Sequence, residues 1–197
     1  HLGPFDVIEL DPPYTTTRYL EAVRTFEKAG YPIIGVDQLS HAWAGSGGLL
    51  EKKEEIAKKN GRNDWNAFAD ITPEQNLFVD ELLGSAAHLI VTMRSRTTWV
   101  VEKRMVHGQE KSVPKRLGLA PVQRAGTEYE FTTLLNLDTD GNRAQSIKDR
   151  TGLYPEGTDC GRLSAADGVK LAAWLYTGIA GDPSPPTTAV EAGEALV

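Results

Sequence analysis

The chain has 197 residues, 40% of them hydrophobic and 24% charged, enough for one domain with a sizeable core and ordinary for a soluble globular protein. Its net charge of −6 excludes a global pull towards nucleic acid or anionic membrane, so any such partner needs a local basic patch. Cys160 is the single cysteine, which excludes an internal disulfide and fits a reducing, cytoplasmic setting, and no apolar run approaches the ~20 residues of a membrane span.

Residues 7–10 (Val-Ile-Glu-Leu) read as a short strand that Pro12 and Pro13 break. Helical spacing over 15–29 puts Tyr19, Val23 and Phe26 on one face, with Thr15 or Thr16 to cap its start and Gly30 its end. The apolar run 33–36, bounded by Pro32 and Asp37, reads as a buried strand, and the strand-helix-strand size is that of a βαβ crossover with parallel strands. A Gly- and Ser-rich loop is expected over 38–48 and a charged, solvated helix over 49–60. A short helix is expected at 65–69. Another should open at Thr72-Pro-Glu74 with Leu77, Phe78, Leu82 and Leu83 as its apolar stripe. Residues 88–93 (His-Leu-Ile-Val-Thr-Met) give a second buried strand.

From there the pattern turns antiparallel. Residues 97–103 read as a strand, 107–118 as a polar loop, and 128–137 as an alternating strand that turns at Asp140-Gly141 into a partner at 143–148. Ser164 caps a last helix over 165–176 that is apolar on nearly every side apart from Lys170 and is therefore expected to be buried. The core is expected to run over 1–178. Residues 179–197, rich in Pro and Thr, read as a disordered tail.

Asp37 is the leading chemical candidate. Ligands of open α/β sheets bind beyond the carboxyl ends of the strands, where an acid can hold the water shell of Mg²⁺ beside nucleotide phosphates; a turn or cap acid would look the same. Thr92 ends its strand just as Asp37 ends the first, so neighbouring strands would place hydroxyl and carboxylate side by side; strand packing is the plain alternative. Arg94 and Arg96 follow, rigid forks of donors suited to phosphate or to internal ion pairs. Lys148 and Arg150, two apart on an extended segment, share a side and could reach a neighbouring subunit's γ-phosphate, or simply solvate a strand end. Between Arg94 and Arg116 seven cations, among them Lys103, Arg104, Lys111, Lys115 and Arg116, face two acids, a local +5 that can mark a nucleic-acid contact or a solvated hairpin. No aromatic lies between Val106 and Leu119, so no base-stacking platform is visible in that loop. The Asp138-x-Asp-x-Asn142 run lacks the glycine of a calcium loop and reads as a hairpin turn. His41 and Trp43 could touch substrate or pack the loop, and the four histidines have no metal-ligand spacing.

From residue 5 to 153 the sequence resembles phage-encoded P-loop ATPases of the RecA-like type, which include single-strand annealing and recombination proteins. The resemblance is carried by Glu9-Leu-Asp-Pro-Pro-Tyr14, Val36-Asp-Gln-Leu-Ser-His-Ala-Trp43, Gly47-Gly-Leu-Leu50, Val91-Thr-Met-Arg94 and Glu128-Tyr-Glu-Phe131. Lys148-Asp-Arg-Thr-Gly152 is similar to the Lys-x-Arg-x-Gly element of bacterial RadA proteins. The resemblance implies a RecA-like α/β core with parallel central strands extended by antiparallel ones. Asp37 would be the Walker B acid that holds Mg²⁺ through water, Thr92 a sensor, and Lys148 with Arg150 a pair acting across the interface of a homo-oligomer. It also implies ATP as ligand, single-stranded DNA as partner and a host-cell cytoplasmic location. It further implies a phosphate loop and a catalytic Glu before Val7. The sequence contains no G-x-x-x-x-G-K-[ST], so the chain is expected to be N-terminally truncated relative to such a core and inactive alone. A catalytically inert DNA-binding or assembly module of the same fold is the alternative.

Overall fold

The structure is a computed structural model that describes residues 4–61, 66–106 and 109–177, with the backbone alone over 98–106 and 109–118. The expected tail therefore lies outside the described residues. The chain divides into two compact units, residues 1–127 and 128–197.

The first unit opens with a segment that makes no strand. Residues 7–10 pair with no edge among the described residues and Val7 is 65% exposed, so the expected βαβ unit lacks its first strand. Helix α1 (Thr16–Lys28) follows, capped by the Thr15 hydroxyl, which accepts from the Arg18 amide at 3.4 Å, and it buries Thr16, Tyr19 and Val23 on one stripe. Strand β1 (Ile33–Val36) then leads into α2 (Ser40–Ala44), a short helix where a loop was expected; its Ala42 and Trp43 are buried, and core contact stabilises it despite the glycines that follow. Helix α3 (Leu49–Asn60) starts at Gly48 and ends on the left-handed Gly61.

Helix α4 (Ala67–Leu83) is one continuous helix where two were expected, with Pro73 inside it. Proline removes one helical donor. Burial of Ile71, Gln75, Phe78 and Leu82, spaced four, three and four apart, offsets that loss and carries the helix through. Leu77 and Leu83, expected on the stripe, are exposed. Trp43, Leu49 and Ile71 form a core cluster with Leu50, Ile56 and Phe68 against it, and the Lys53 ammonium lies 4.7 Å from the centre of the Phe68 ring. The Glu74 carboxylate accepts from the Thr16 hydroxyl at 2.7 Å and from the Lys52 ammonium, joining α1 and α3 to α4. Burial raises the Glu74 pKa, but the bonds from Lys52 and Thr16 outweigh it and hold the carboxyl below its ordinary value.

Strand β2 (His88–Val91) pairs with β1 in parallel, Ile33 opposite His88 and Val36 opposite Val91. The crossover between them is the α2–α3–α4 segment, as a parallel pair requires. Ile34 and Val36 are buried, whereas Ile33 and Ile90 remain 49% and 63% exposed on the opposite face. Strands β3 (Ser95–Val106) and β4 (Gln109–Pro121) form a long antiparallel hairpin, so the polar loop expected over 107–118 is a strand from Gln109 onward. The register slips between Thr98 and Trp99, leaving Leu117 as an extra residue in β4.

The second unit is a three-stranded antiparallel sheet of β5 (Thr133–Leu137), β6 (Arg143–Asp149) and β7 (Asp159–Arg162), in that order. A 3₁₀ turn, Thr127–Tyr129, stands where the strand was expected to begin. The Asp138 carboxylate accepts from the Arg143 amide at 3.1 Å and closes the β5–β6 turn. Ser146 is fully buried and donates to the Tyr154 carbonyl at 2.7 Å. Helix α5 (Ala165–Tyr176) begins with a Ser164–Asp167 capping box, but it contains no buried residue, contrary to its apolar sequence.

Two stability predictions follow from backbone space and from one carboxylate. Gly47 has φ +75°, and a Cβ there would sit 2.3 Å from the Pro13 Cβ; Gly30 has φ +84° and open space around it. Gly30→Ala is expected to cost about 1 kcal/mol for the left-handed backbone alone. Gly47→Ala should cost roughly 2–4 kcal/mol, because steric overlap is added. Equal losses in denaturant titration would refute the Pro13 contact. Asp149 accepts from the Thr133 and Thr151 hydroxyls at 3.1 and 2.6 Å and from the Thr151 and Tyr154 amides, each at 2.9 Å. Burial raises its pKa, but these bonds prevail and hold it below the ordinary 3.8. The ionised carboxylate thus contributes stability above the unfolded value, lost as pH falls through the folded one. Asp149→Asn should lower the melting temperature at pH 7, and that deficit should start to shrink as pH falls through 3.8 and vanish only below the lowered folded pKa, where the folded carboxyl is protonated too; a deficit that persists unchanged at pH 2–3 would contradict the assignment.

Candidate functional site

Because β1 and β2 run in the same direction and in register, the residues that follow them meet. The Thr92 hydroxyl donates to Asp37 Oδ1 at 2.6 Å. The backbone fixes this corner from both sides: the Thr92 amide donates to the Val36 carbonyl at 3.0 Å, and the Thr92 carbonyl accepts from the Leu39 amide at 2.9 Å. Leu39 and Ser40 are completely buried, which pins the turn into α2, and Ser40 Oγ accepts from the Arg94 amide at 2.9 Å. The Tyr19 hydroxyl donates to the Gln38 carbonyl at 2.9 Å, and burial, helped by the nearby Tyr14, pushes that phenol up to about 12. The Asp37–Gln38 peptide is cis. Gln38 Oε1 is buried and has no hydrogen-bond partner among the described residues.

Asp37 and Thr92 themselves are exposed, at the carboxyl ends of parallel strands. One exposed carboxylate oxygen pair beside a hydroxyl is a set of hard oxygen donors. That suits Mg²⁺, which keeps several waters and takes one or two carboxylates together with substrate phosphates. No group of three or more His, Cys, Asp or Glu among the described residues forms an all-protein metal cage.

The side chains of Arg94 and Arg96 are exposed on the segment leaving this corner. Arg94 is anchored by its backbone, since its carbonyl accepts from the Val122 amide at 2.7 Å, and Arg96 lies on β3 opposite Ala120. His41 stacks on Tyr14, ring centres 4.6 Å apart, and Trp43 belongs to the core, so both pack the turn after Asp37.

In the second unit Lys148 and Arg150 converge. The Lys148 ammonium donates to the Tyr129 carbonyl and, at 2.8 Å, to that of Phe131, while the Arg150 guanidinium donates to the Tyr129 carbonyl at 3.4 Å. Burial, and then the Arg150 charge beside it, lower the Lys148 pKa. Asp149, between them, organises the turn that presents both, through the four bonds given above. Sequence reasoning passed over Asp149; the Asp-x-Thr spacing that favours a local side-chain-to-backbone turn is the signal that could have found it.

Lys103 and Arg104 stand on β3 and Lys111, Lys115 and Arg116 on β4, so the basic residues belong to a two-stranded ribbon rather than a loop. Their side chains lie outside the described residues. Among the described residues no helix is long and apolar enough to cross a membrane.

No curated protein and no solved structure matches this chain. The AAA domain family matches residues 4–151, from the segment before α1 through the whole of β6. That span includes the Asp37–Thr92 corner, the ribbon and the Lys148–Arg150 turn. Nucleotide binding of the ATPase kind, usually with Mg²⁺, is the function that goes with such a domain. A match over about three quarters of its length establishes that the chain belongs to the AAA domain family of P-loop ATPases.

Proposed function

We propose that this chain is part of a phage-encoded, RecA-like ATPase that works on DNA in recombination or single-strand annealing. The observation that carries the nucleotide site is the 2.6 Å hydrogen bond from Thr92 to Asp37 at the carboxyl ends of two parallel strands. In ATP hydrolysis a water attacks the γ-phosphorus, the bond to the β–γ bridging oxygen breaks, and ADP, phosphate and a proton leave. Mg²⁺, when bound, supplies charge neutralisation on the phosphate oxygens. Asp37 would accept hydrogen bonds from the metal's water shell, and Thr92, through its bond to Asp37, would fix the rotamer of that carboxylate and act as the sensor of the nucleotide. Arg94 and Arg96 offer donors to phosphate oxygens. The phosphate loop is contributed by a segment other than residues 1–197.

Lys148 and Arg150 act on the nucleotide of a neighbouring copy in a homo-oligomer. Lys148 already donates to the carbonyls of Tyr129 and Phe131, which leaves the third ammonium N–H for that phosphate. Single-stranded DNA is the partner of the basic ribbon, carried by Lys103, Arg104, Lys111, Lys115 and Arg116.

The chain alone is expected to show no ATP turnover. Joined to an in-frame segment carrying G-x-x-x-x-G-K-[ST], it should hydrolyse Mg·ATP, and Asp37→Asn should lower kcat by roughly 10² or more, in the range of losing one preorganised electrostatic group. Thr92→Val should lower kcat less while leaving nucleotide affinity nearly unchanged. Turnover in the joined protein that survives Asp37→Asn would remove Asp37 from the site.

A further inference from the structure

The strand register brings together two residues that lie far apart in sequence. Trp99 on β3 stands directly opposite Arg116 on β4. From that pair to Val106 opposite Gln109 the ladder is regular, so residues two apart share a face. One face carries Trp99 and Arg116, then Val101 and Pro114, then Lys103 and Ser112, then Met105 and Glu110. The other carries Val100 and Lys115, Glu102 and Val113, and Arg104 and Lys111. The first face thus combines an aromatic ring with two cations, whereas the second has three cations and no aromatic.

We propose that the Trp99 face of the β3–β4 ribbon is a stacking platform for the bases of a single-stranded nucleic acid, with Arg116 and Lys103 holding the adjacent phosphates. This rests on the reading of the chain as a DNA-acting ATPase and assigns the residues and mode of contact. Indole is a sequence-tolerant stacking surface, and an arginine across the ribbon adds a cation beside it. Trp99 and Lys103 are four residues apart on one strand, roughly 14 Å at ~3.4 Å per residue, long enough to track more than one nucleotide. On the other face, Arg104 and Lys111 stand opposite each other as like charges. That pairing disfavours the free ribbon, and it places general positive potential there without a ring to grip a base.

The test is fluorescence anisotropy of a labelled 20-nucleotide oligothymidylate and of a 20-base-pair duplex, titrated with the full chain at several salt concentrations. Wild type should bind the single strand more tightly. Trp99→Ala should weaken that binding roughly tenfold with the salt slope unchanged, because stacking releases no counterions. Trp99→Phe should restore most of it. Arg116→Ala and Lys103→Ala should each flatten the slope by about 0.7, the value for one phosphate contact on a single strand.

Single-strand affinity that withstands Trp99→Ala overturns the platform while leaving the DNA-acting reading in place. A Trp99→Ala loss that Trp99→Phe does not restore, with a flattened slope, marks a misfolded ribbon and also overturns it. A stronger loss in Arg104→Ala/Lys111→Ala than in Trp99→Ala assigns the contact to the opposite face and overturns it likewise. Failure of the wild-type chain to bind either probe defeats both the platform and the DNA partner, without bearing on nucleotide hydrolysis.

Discussion

The parallel pairing of β1 with β2 is the constraint on which the candidate nucleotide site depends. A four-residue ladder is small, yet a slip of one residue would exchange the buried Ile34 and Val36 for the exposed Ile33 and Gly35, so the buried face fixes the register. Once the register is fixed, Asp37 and Thr92 emerge at the same level from adjacent strands, and a hydroxyl finds a carboxylate without any loop having to search for it. The surrounding bonds repeat the same logic. Leu39 and Ser40 are buried to the last atom, and through them the backbone of Thr92 and Arg94 is tied to the start of α2.

Polar groups in the two units serve as organisers rather than as reactants. Asp149 takes three hydrogen bonds from its own turn and a fourth from Thr133 on β5, and the turn so organised places Lys148 and Arg150 on one carbonyl. A carboxylate surrounded by donors is more acidic than a free one, and those donors occupy its oxygens. The cations remain directed at the Tyr129 carbonyl, a weak and replaceable partner compared with a phosphate oxygen.

Much of this was legible in sequence where the signals are local. The strands at 33–36 and 88–91 are short apolar runs between breakers, Thr15 and Ser164 announce helix starts, and Asp140-Gly141 marks a turn. Matched strand endings were enough to pair Asp37 with Thr92. Where structure depends on distant packing, the sequence misled. Strand β4 is charged and carries Pro114, so only its ladder with β3 reveals it, and with that ladder the pairing of Trp99 with Arg116. Strand β7, Asp-Cys-Gly-Arg, has no β-branched residue at all. Pro73 suggested a helix start, but the buried Ile71 and Gln75 on either side carry α4 through it. Residues 7–10 have the composition of a strand without an edge to join, and α5 has the composition of a core helix while burying none of its residues.

The triple junction at Glu74 has a consequence for how the corner responds to its surroundings. Thr16, held by Glu74, begins the same helix whose Tyr19 grips the carbonyl of Gln38, so a single acid in α4 steadies the peptide next to Asp37 through one turn of α1. The lowered pKa of Glu74 keeps its carboxylate ionised, and so able to accept both bonds, through mild acidification. The brace behind the Asp37–Thr92 corner therefore keeps its charged acceptor at any pH near neutrality.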